Sequence, residues 1–249
     1  RIRNDLFAHA LDLSLRFHDR TPVGKLLTRL TSDVDALAEV FGSGAVGLAF
    51  ADTLLTESDA RITIVDRHGK PGGHWNDAYS FVTLHQPSAF YGVNSMPLGS
   101  GLKDGQGLNA GLYELASGAE VCGYFDTVMR QRLLTSGRVD YYPMTDYRGE
   151  GRMVSLLSGA ETRVQVRRKT VDATWFGTSV PSTHTPAFTV AEGVRLATPN
   201  ALPHLAQAGG AVPDRYVILG AGKTAMDAGV WLIGAGVPAD RITWVRPRE

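Results

Sequence analysis

Two glycine patterns are the parts of this chain best suited to holding a phosphate. Gly42, Gly44 and Gly47 fit G-x-G-x-x-G, and Gly220, Gly222 and Ala225 fit G-x-G-x-x-A. In such patterns the first glycine permits a tight turn, the second lets a pyrophosphate approach the backbone, and the third small residue lets a helix pack closely on its strand. The phosphate then meets free N–H groups at a helix N-terminus, where the macrodipole favours negative charge. After the first pattern comes a helical stretch with Leu48, Ala51, Leu54 and Leu55, then the apolar run Arg61–Asp66. Asp66, with Arg67 beside it, stands where an acid grips ribose hydroxyls.

The second pattern follows the short apolar run Tyr216–Leu219 and leads through Lys223 and Thr224 into a helix. The next strand, Ile242–Val245, ends in Arg246 and Arg248 where the first ended in an acid. Guanidinium groups make planar, charge-assisted bonds to a 2′-phosphate, so this unit is expected to prefer NADPH to NADH. Gly222-Lys223-Thr224 is not a P-loop, because that motif requires glycine where Val217 stands.

Between the patterns lies His68-Gly-Lys-Pro-Gly-Gly-His-Trp75. Gly72, Gly73 and Trp75, with His74 at the variable place, match a G-G-x-W loop. On these residues the chain resembles the flavin-monooxygenase-like FAD/NAD(P)-binding oxidoreductases over about residues 42–249. The resemblance implies that this loop lies along FAD and that His85 and Asn94 in the Phe81–Ser95 loop approach flavin or substrate. Trp75 offers a stacking face on that reading and is a core aromatic beside a turn on the plainer one. The fingerprint F-x-G-x-x-x-H-x-x-x-F/Y is met only in its second half, by His184 and Phe188. Phe176 and Gly177 are adjacent and too far from His184.

The elements that must position these groups read as α/β. Two Rossmann-like dinucleotide-binding units are expected, with a small antiparallel insertion at Met153–Leu157, Thr162–Val166 and Thr170–Trp175. Glu120–Ser136 reads as a helix with Val121, Phe125, Val128 and Leu133 at helical spacing. The expected strand before Gly42 is spoiled: Asp33, Asp35 and Glu39 interrupt it, and Val34, Leu37 and Val40 recur at helical spacing.

Residues 1–40 read as a helical hairpin about the Asp19–Gly24 turn. Arg3, Leu6-Phe7, His9, Leu11, Phe17, Asp19-Arg20, Gly24, Leu26-Leu27, Arg29-Leu30 and Asp33-Val34 resemble a cytoplasmic loop of ABC exporter membrane domains. That resemblance implies a transport-coupling helix; a joint between unrelated chains near Val40–Gly47 also accounts for the spoiled strand. The expected division is residues 1–40, an FAD-binding part at 41–200, and the start of an NAD(P)H-binding part at 201–249, with both ends cut.

The 249 residues suffice for a sizeable core, and the zero formal charge suggests no nucleic-acid partner. The single Cys122 excludes an internal disulfide framework. No run approaches the ~18 apolar residues of a membrane span, and a cytoplasmic location is expected. No catalytic acid, base or nucleophile and no metal cluster emerges. The cofactors expected are FAD and NADPH, acting on a small-molecule substrate.

Overall fold

The computed structural model describes residues 39–41 (backbone only), 45–174, 182, 185–186, 188–205 and 213–246. The hairpin expected at residues 1–40 lies outside them, apart from the backbone of residues 39 and 40, as do Phe176, Gly177 and His184 of the fingerprint.

Four strands form one parallel sheet: β1 (Glu39–Phe41), β2 (Ile62–Val65), β3 (Val139–Tyr142) and β7 (Thr170–Asp172), in the order β3-β2-β1-β7. Every neighbouring pair is parallel, with Phe41 opposite Val65 on one side and Asp172 on the other. The strand doubted from sequence is therefore present, though only three residues long. Its partners on both edges supply the ladder bonds that its own interrupted pattern did not advertise. The strand order reverses at β1, and in open α/β sheets that switch point is where ligands bind, beyond the carboxyl ends of the strands.

Helix α1 (Ala45–Glu57) follows β1 and buries every residue from Gly47 to Leu55. Small and aliphatic side chains at Leu48, Ala51, Leu54 and Leu55 let it lie flat on the sheet. Ile62, Ile64 and Val65 of β2 are buried too, as expected of a strand covered on both faces. Helix α2 (Gly118–Thr127) starts at a capping box, with Ser117 accepting from Glu120 N and the Glu120 carboxylate accepting from Ser117 N at 2.7 Å. It widens into a π turn at Val128–Leu133, then tightens through Leu134–Ser136 and stops at Gly137 with φ 64°. Val121, Phe125, Val128, Met129 and Leu133 complete the main core. The apolar periodicity anticipated the whole run.

The antiparallel insertion differs from expectation. It contains β4 (Thr145–Tyr147), β5 (Arg152–Ser155) and β6 (Glu161–Arg163), in that order. Its third strand is β4, not Thr170–Trp175; Thr170–Asp172 joins the parallel sheet beside β1. Four-residue runs of mixed polarity carry no label saying which sheet they enter. The register is set by tertiary pairing.

The short helix α3 (Leu202–Leu205) precedes the last unit. There β8 (Tyr216–Leu219) and β9 (Ile242–Val245) pair in parallel around α4 (Lys223–Gly234). Ile218, Ala225 and Leu232 form a small second core.

Candidate dinucleotide-binding site

The residue at the carboxyl end of β2 is Asp66, which is buried. Its backbone is fixed on both sides: Asp66 N donates to Tyr142 O at 3.0 Å, and its carbonyl accepts from Thr145 N at 2.9 Å. The carboxylate oxygen Oδ1 accepts from His68 N at 2.7 Å, and His68 Nδ1 lies 3.1 Å from the same oxygen. On the other side of the imidazole, Nε2 lies 2.9 Å from Asp77 Oδ2. Thus one ring bridges the end of β2 to the turn that contains the G-G-x-W motif.

That turn is a 3₁₀ segment, Gly73–Asp77, packed against α2. Gly72 precedes it with φ 134°, a conformation that side chains rarely allow. A Cβ on Gly72 would also stand 3.1 Å from Asn76 Nδ2 and 3.2 Å from Cys122 Sγ. Asn76 closes the turn by donating to Gly73 O at 3.0 Å and Lys70 O at 3.2 Å. The Asp77 carbonyl accepts from Ser182 Oγ at 3.1 Å and Asn200 Nδ2 at 3.0 Å. Trp75 is half-buried and packs on the main core.

The two histidines here are driven apart. Burial alone lowers the His68 pKa, but hydrogen bonds and charge from Asp77 and Asp66 together outweigh it and leave the value above its ordinary 6.5. The His74 ring, 5.3 Å from the Trp75 ring, is held below 6.5. Its loss of solvation leads, Asp77 opposes it, and the nearby His68 charge adds to it. The turn therefore holds two neighbouring histidines whose pKa values are pushed in opposite directions, His68 upward and His74 downward.

In the Phe81–Ser95 loop, His85 and Asn94 are both exposed. The loop is anchored from below. Asp52, fully buried on α1, accepts from Ser95 Oγ at 2.6 Å, Ser95 N at 3.0 Å and Arg132 Nε at 3.0 Å. Cys122 is buried, and burial raises its pKa, so it is not poised as a thiolate.

In the last unit Gly220 (φ 125°) turns the chain from β8, and Gly222 caps α4. Lys223 does not extend away from the turn: its ammonium pairs with Asp227 one helical turn on. The same carboxylate oxygen accepts from Tyr79 Oη at 2.6 Å, and Phe81 stacks on Trp231 with centroids 5.2 Å apart. At the end of β9, Arg246 lies over the Trp244 ring, 5.7 Å from its centroid.

Of the residues singled out in the sequence, Asp66, Gly72, Gly73, His74 and Trp75 share one turn region, with Arg67 exposed beside it. Gly47 is buried in α1, and Gly220, Gly222, Lys223, Thr224, Ala225 and Arg246 share the second turn region. Gly42, Gly44 and Arg248 lie outside the described residues. Sequence reasoning passed over His68, Asn76, Asp77, Tyr79 and Asp227. The Asp66-x-His68 spacing was the one available signal, since a side chain two residues beyond a strand-end acid can fold back onto it.

Fold and strand-end site define an α/β protein with a Rossmann-like parallel sheet, and part of it matches the model of the NAD(P)-binding Rossmann-like domain. Residues 40–96 match the family described by that name, and residues 1–52 match the ABC transporter transmembrane region. The two matches overlap across β1 and the first half of α1, which the structure builds into the parallel sheet and its covering helix. An uncharacterized protein of Mycobacterium tuberculosis (strain H37Rv) is 51% identical over 210 residues, covering 84% of this chain and 38% of that protein. An uncharacterized protein of Mycobacterium bovis matches to the same extent. The chain thus spans 38% of the length of these curated relatives.

Among solved structures, the fold is shared with a flavin-containing monooxygenase from Stenotrophomonas maltophilia, at TM-score 0.52 and 21% identity, covering 85% of this chain and 58% of that one. It is shared also with a bacillithiol disulfide reductase from Staphylococcus aureus, at TM-score 0.52 and 14% identity, covering 84% and 56%. Among the described residues no helix is long and apolar enough to cross a membrane.

Proposed function

We propose that this chain is the FAD-binding part, residues 41–200, and the opening of the NADPH-binding part, residues 201–249, of a flavin-monooxygenase-like oxidoreductase. The observation that carries the reading is the Asp66 carboxylate at the end of β2, next to the switch point of a parallel sheet and tied to the Gly72–Trp75 turn. The residues present fit FAD. Gly72 holds φ 134° with Asn76 and Cys122 crowding the place of a Cβ, Asp66 is an acid at the end of β2 where ribose hydroxyls would be gripped, and α1 begins at Ala45 after β1. FAD, when bound, would supply the two-electron acceptor for hydride from NADPH.

The chain's own residues bind and orient. The N-terminal turn of α1 would hold the pyrophosphate, Asp66 would accept from the ribose hydroxyls, and the Gly72–Gly73 backbone would contact the flavin moiety. The second unit adds Gly220, Gly222 and Ala225 for the NADPH pyrophosphate, and Arg246 and Arg248 for the 2′-phosphate. Lys223, paired with Asp227, acts mainly to fix the start of α4. The reduced flavin would then act on oxygen or another acceptor, with a small-molecule substrate.

The test is direct. Purified chain should carry or take up FAD, seen as the flavin absorption band, and anaerobic NADPH should bleach that band faster than NADH does. A protein that stays colourless with excess FAD rules the reading out. For residues 1–52 a second reading stands, that they derive from a transporter membrane region, because they match that family. Sequencing the genomic DNA across Val40–Gly47 decides between one natural frame and a joint.

A further inference from the structure

We infer that His68 is a positioning residue of the cofactor site: as an imidazolium held between Asp66 and Asp77, it locks the end of β2 to the Gly72–Asp77 turn. The inference rests on the FAD reading above and adds to it a residue outside the glycine and acid motifs.

A neutral imidazole has one N–H; an ionised carboxylate has none. Both ring nitrogens of His68 stand within hydrogen-bond distance of carboxylate oxygens, at 3.1 and 2.9 Å. Two donors are needed, so the ring carries both protons unless one carboxylate holds its own. Asp66 Oδ1 also accepts the His68 backbone N–H, so this oxygen acts as an acceptor toward both His68 donors. The Asp77 side chain is 39% exposed and that of Asp66 3% exposed, and a cation in contact offsets part of the cost of burying a carboxylate.

The bridge has a structural consequence. The turn between β2 and the 3₁₀ segment has no ladder bonds to β2. It is held by Asn76, which closes it on itself, by the Met144 N bond to His68 O, by the Ser182 and Asn200 bonds to Asp77 O, and by its packing on α2; His68 adds the side-chain tie from Asp77 back to the strand-end acid. Without the imidazolium that tie is lost, and the separation of the Asp66 carboxylate from the Gly72–Gly73 backbone is less closely fixed. A rigid pair of contacts binds a dinucleotide more tightly than the same contacts on a mobile turn, because the ordering cost is met in advance. The other titratable or charged groups near His68 are His74 on the same turn and Arg67 and Lys70 beside it in sequence.

The experiment compares wild type, His68→Gln and His68→Lys. FAD affinity is measured by fluorescence quenching between pH 5.5 and 9, with the His68 ring followed by NMR in the FAD-free protein. Wild-type affinity should fall as pH rises through the His68 titration, which should lie above 6.5. His68→Gln should bind FAD about tenfold more weakly at low pH and show a flat profile, while His68→Lys should recover part of the loss and also lose the alkaline decline. Equal affinity of wild type and His68→Gln at every pH, or a His68 ring titrating below 6.5, overturns the inference and leaves the FAD reading intact. A wild-type chain that takes up no FAD at any pH overturns the reading, and the positioning role with it.

Discussion

The Tyr79 hydroxyl donates to the Asp227 carboxylate at 2.6 Å across 148 residues of sequence. Tyr79 follows the Gly72–Asp77 turn, and Asp227 lies on the first turns of α4, so one bond joins the two proposed nucleotide units. Burial and the Asp227 bond both push the Tyr79 pKa upward, so the phenol keeps its proton and remains a donor. Lys223 neutralises the same carboxylate, and the stacked Phe81–Trp231 pair lies alongside.

Tyr79→Phe should therefore loosen the junction without opening the cores. Asp227 keeps Lys223 as a partner, so the loss should be about 1–2 kcal/mol in urea denaturation. Steady binding of FAD with weakened NADPH-driven bleaching would place the effect at the junction. An unchanged unfolding midpoint would show the bond to be idle.

Asp52→Ala should cost more, about 3 kcal/mol, because it removes the buried acceptor shared by Arg132 and Ser95. The check is the same denaturation curve, with increased amide exchange expected around Val93–Met96.

Gly72→Ala should lower stability by about 1–3 kcal/mol, since φ 134° is strained for any side chain and the new methyl meets Asn76 and Cys122. Gly123, where a Cβ meets nothing within 4 Å, is the control, and Gly123→Ala should be neutral or better.

The histidine pair makes a signed prediction about pH. His68 has a raised folded pKa, so its contribution is fully present below about 6.5 and is lost as pH rises through the raised value. The stability gap between wild type and His68→Gln should accordingly be widest in mild acid and close toward alkaline pH. His74 runs the other way, with a lowered folded pKa. The stability that comes from the neutral ring is fully present above about 6.5, the unfolded value, and is lost as pH falls from there through the lowered folded pKa. Urea titrations at stepped pH read both.

Arg246→Ala should cut the NADPH-over-NADH preference by about tenfold or more, the worth of a charge-assisted bond to the 2′-phosphate, with NADH use little changed. An unaltered ratio would remove Arg246 from the site.

By itself the sequence determined the α/β class, the buried run of β2 ending in Asp66, the helical run Glu120–Ser136, and the glycine turn at Gly220–Gly222. These are local signals: an apolar run, a 3.6-residue period, a turn needing glycine. Only tertiary structure decided that Glu39–Phe41 is a strand, that Thr170–Asp172 joins the parallel sheet, and that β4 completes the antiparallel one. Three-residue strands owe their state to the ladders beside them, and no local pattern encodes a partner. The same reason hid the bridges from His68 to Asp77 and from Tyr79 to Asp227. A hydrogen bond between distant segments depends on where the whole chain brings two side chains, so the local motifs mark the turns while the fold alone chooses what holds them in place.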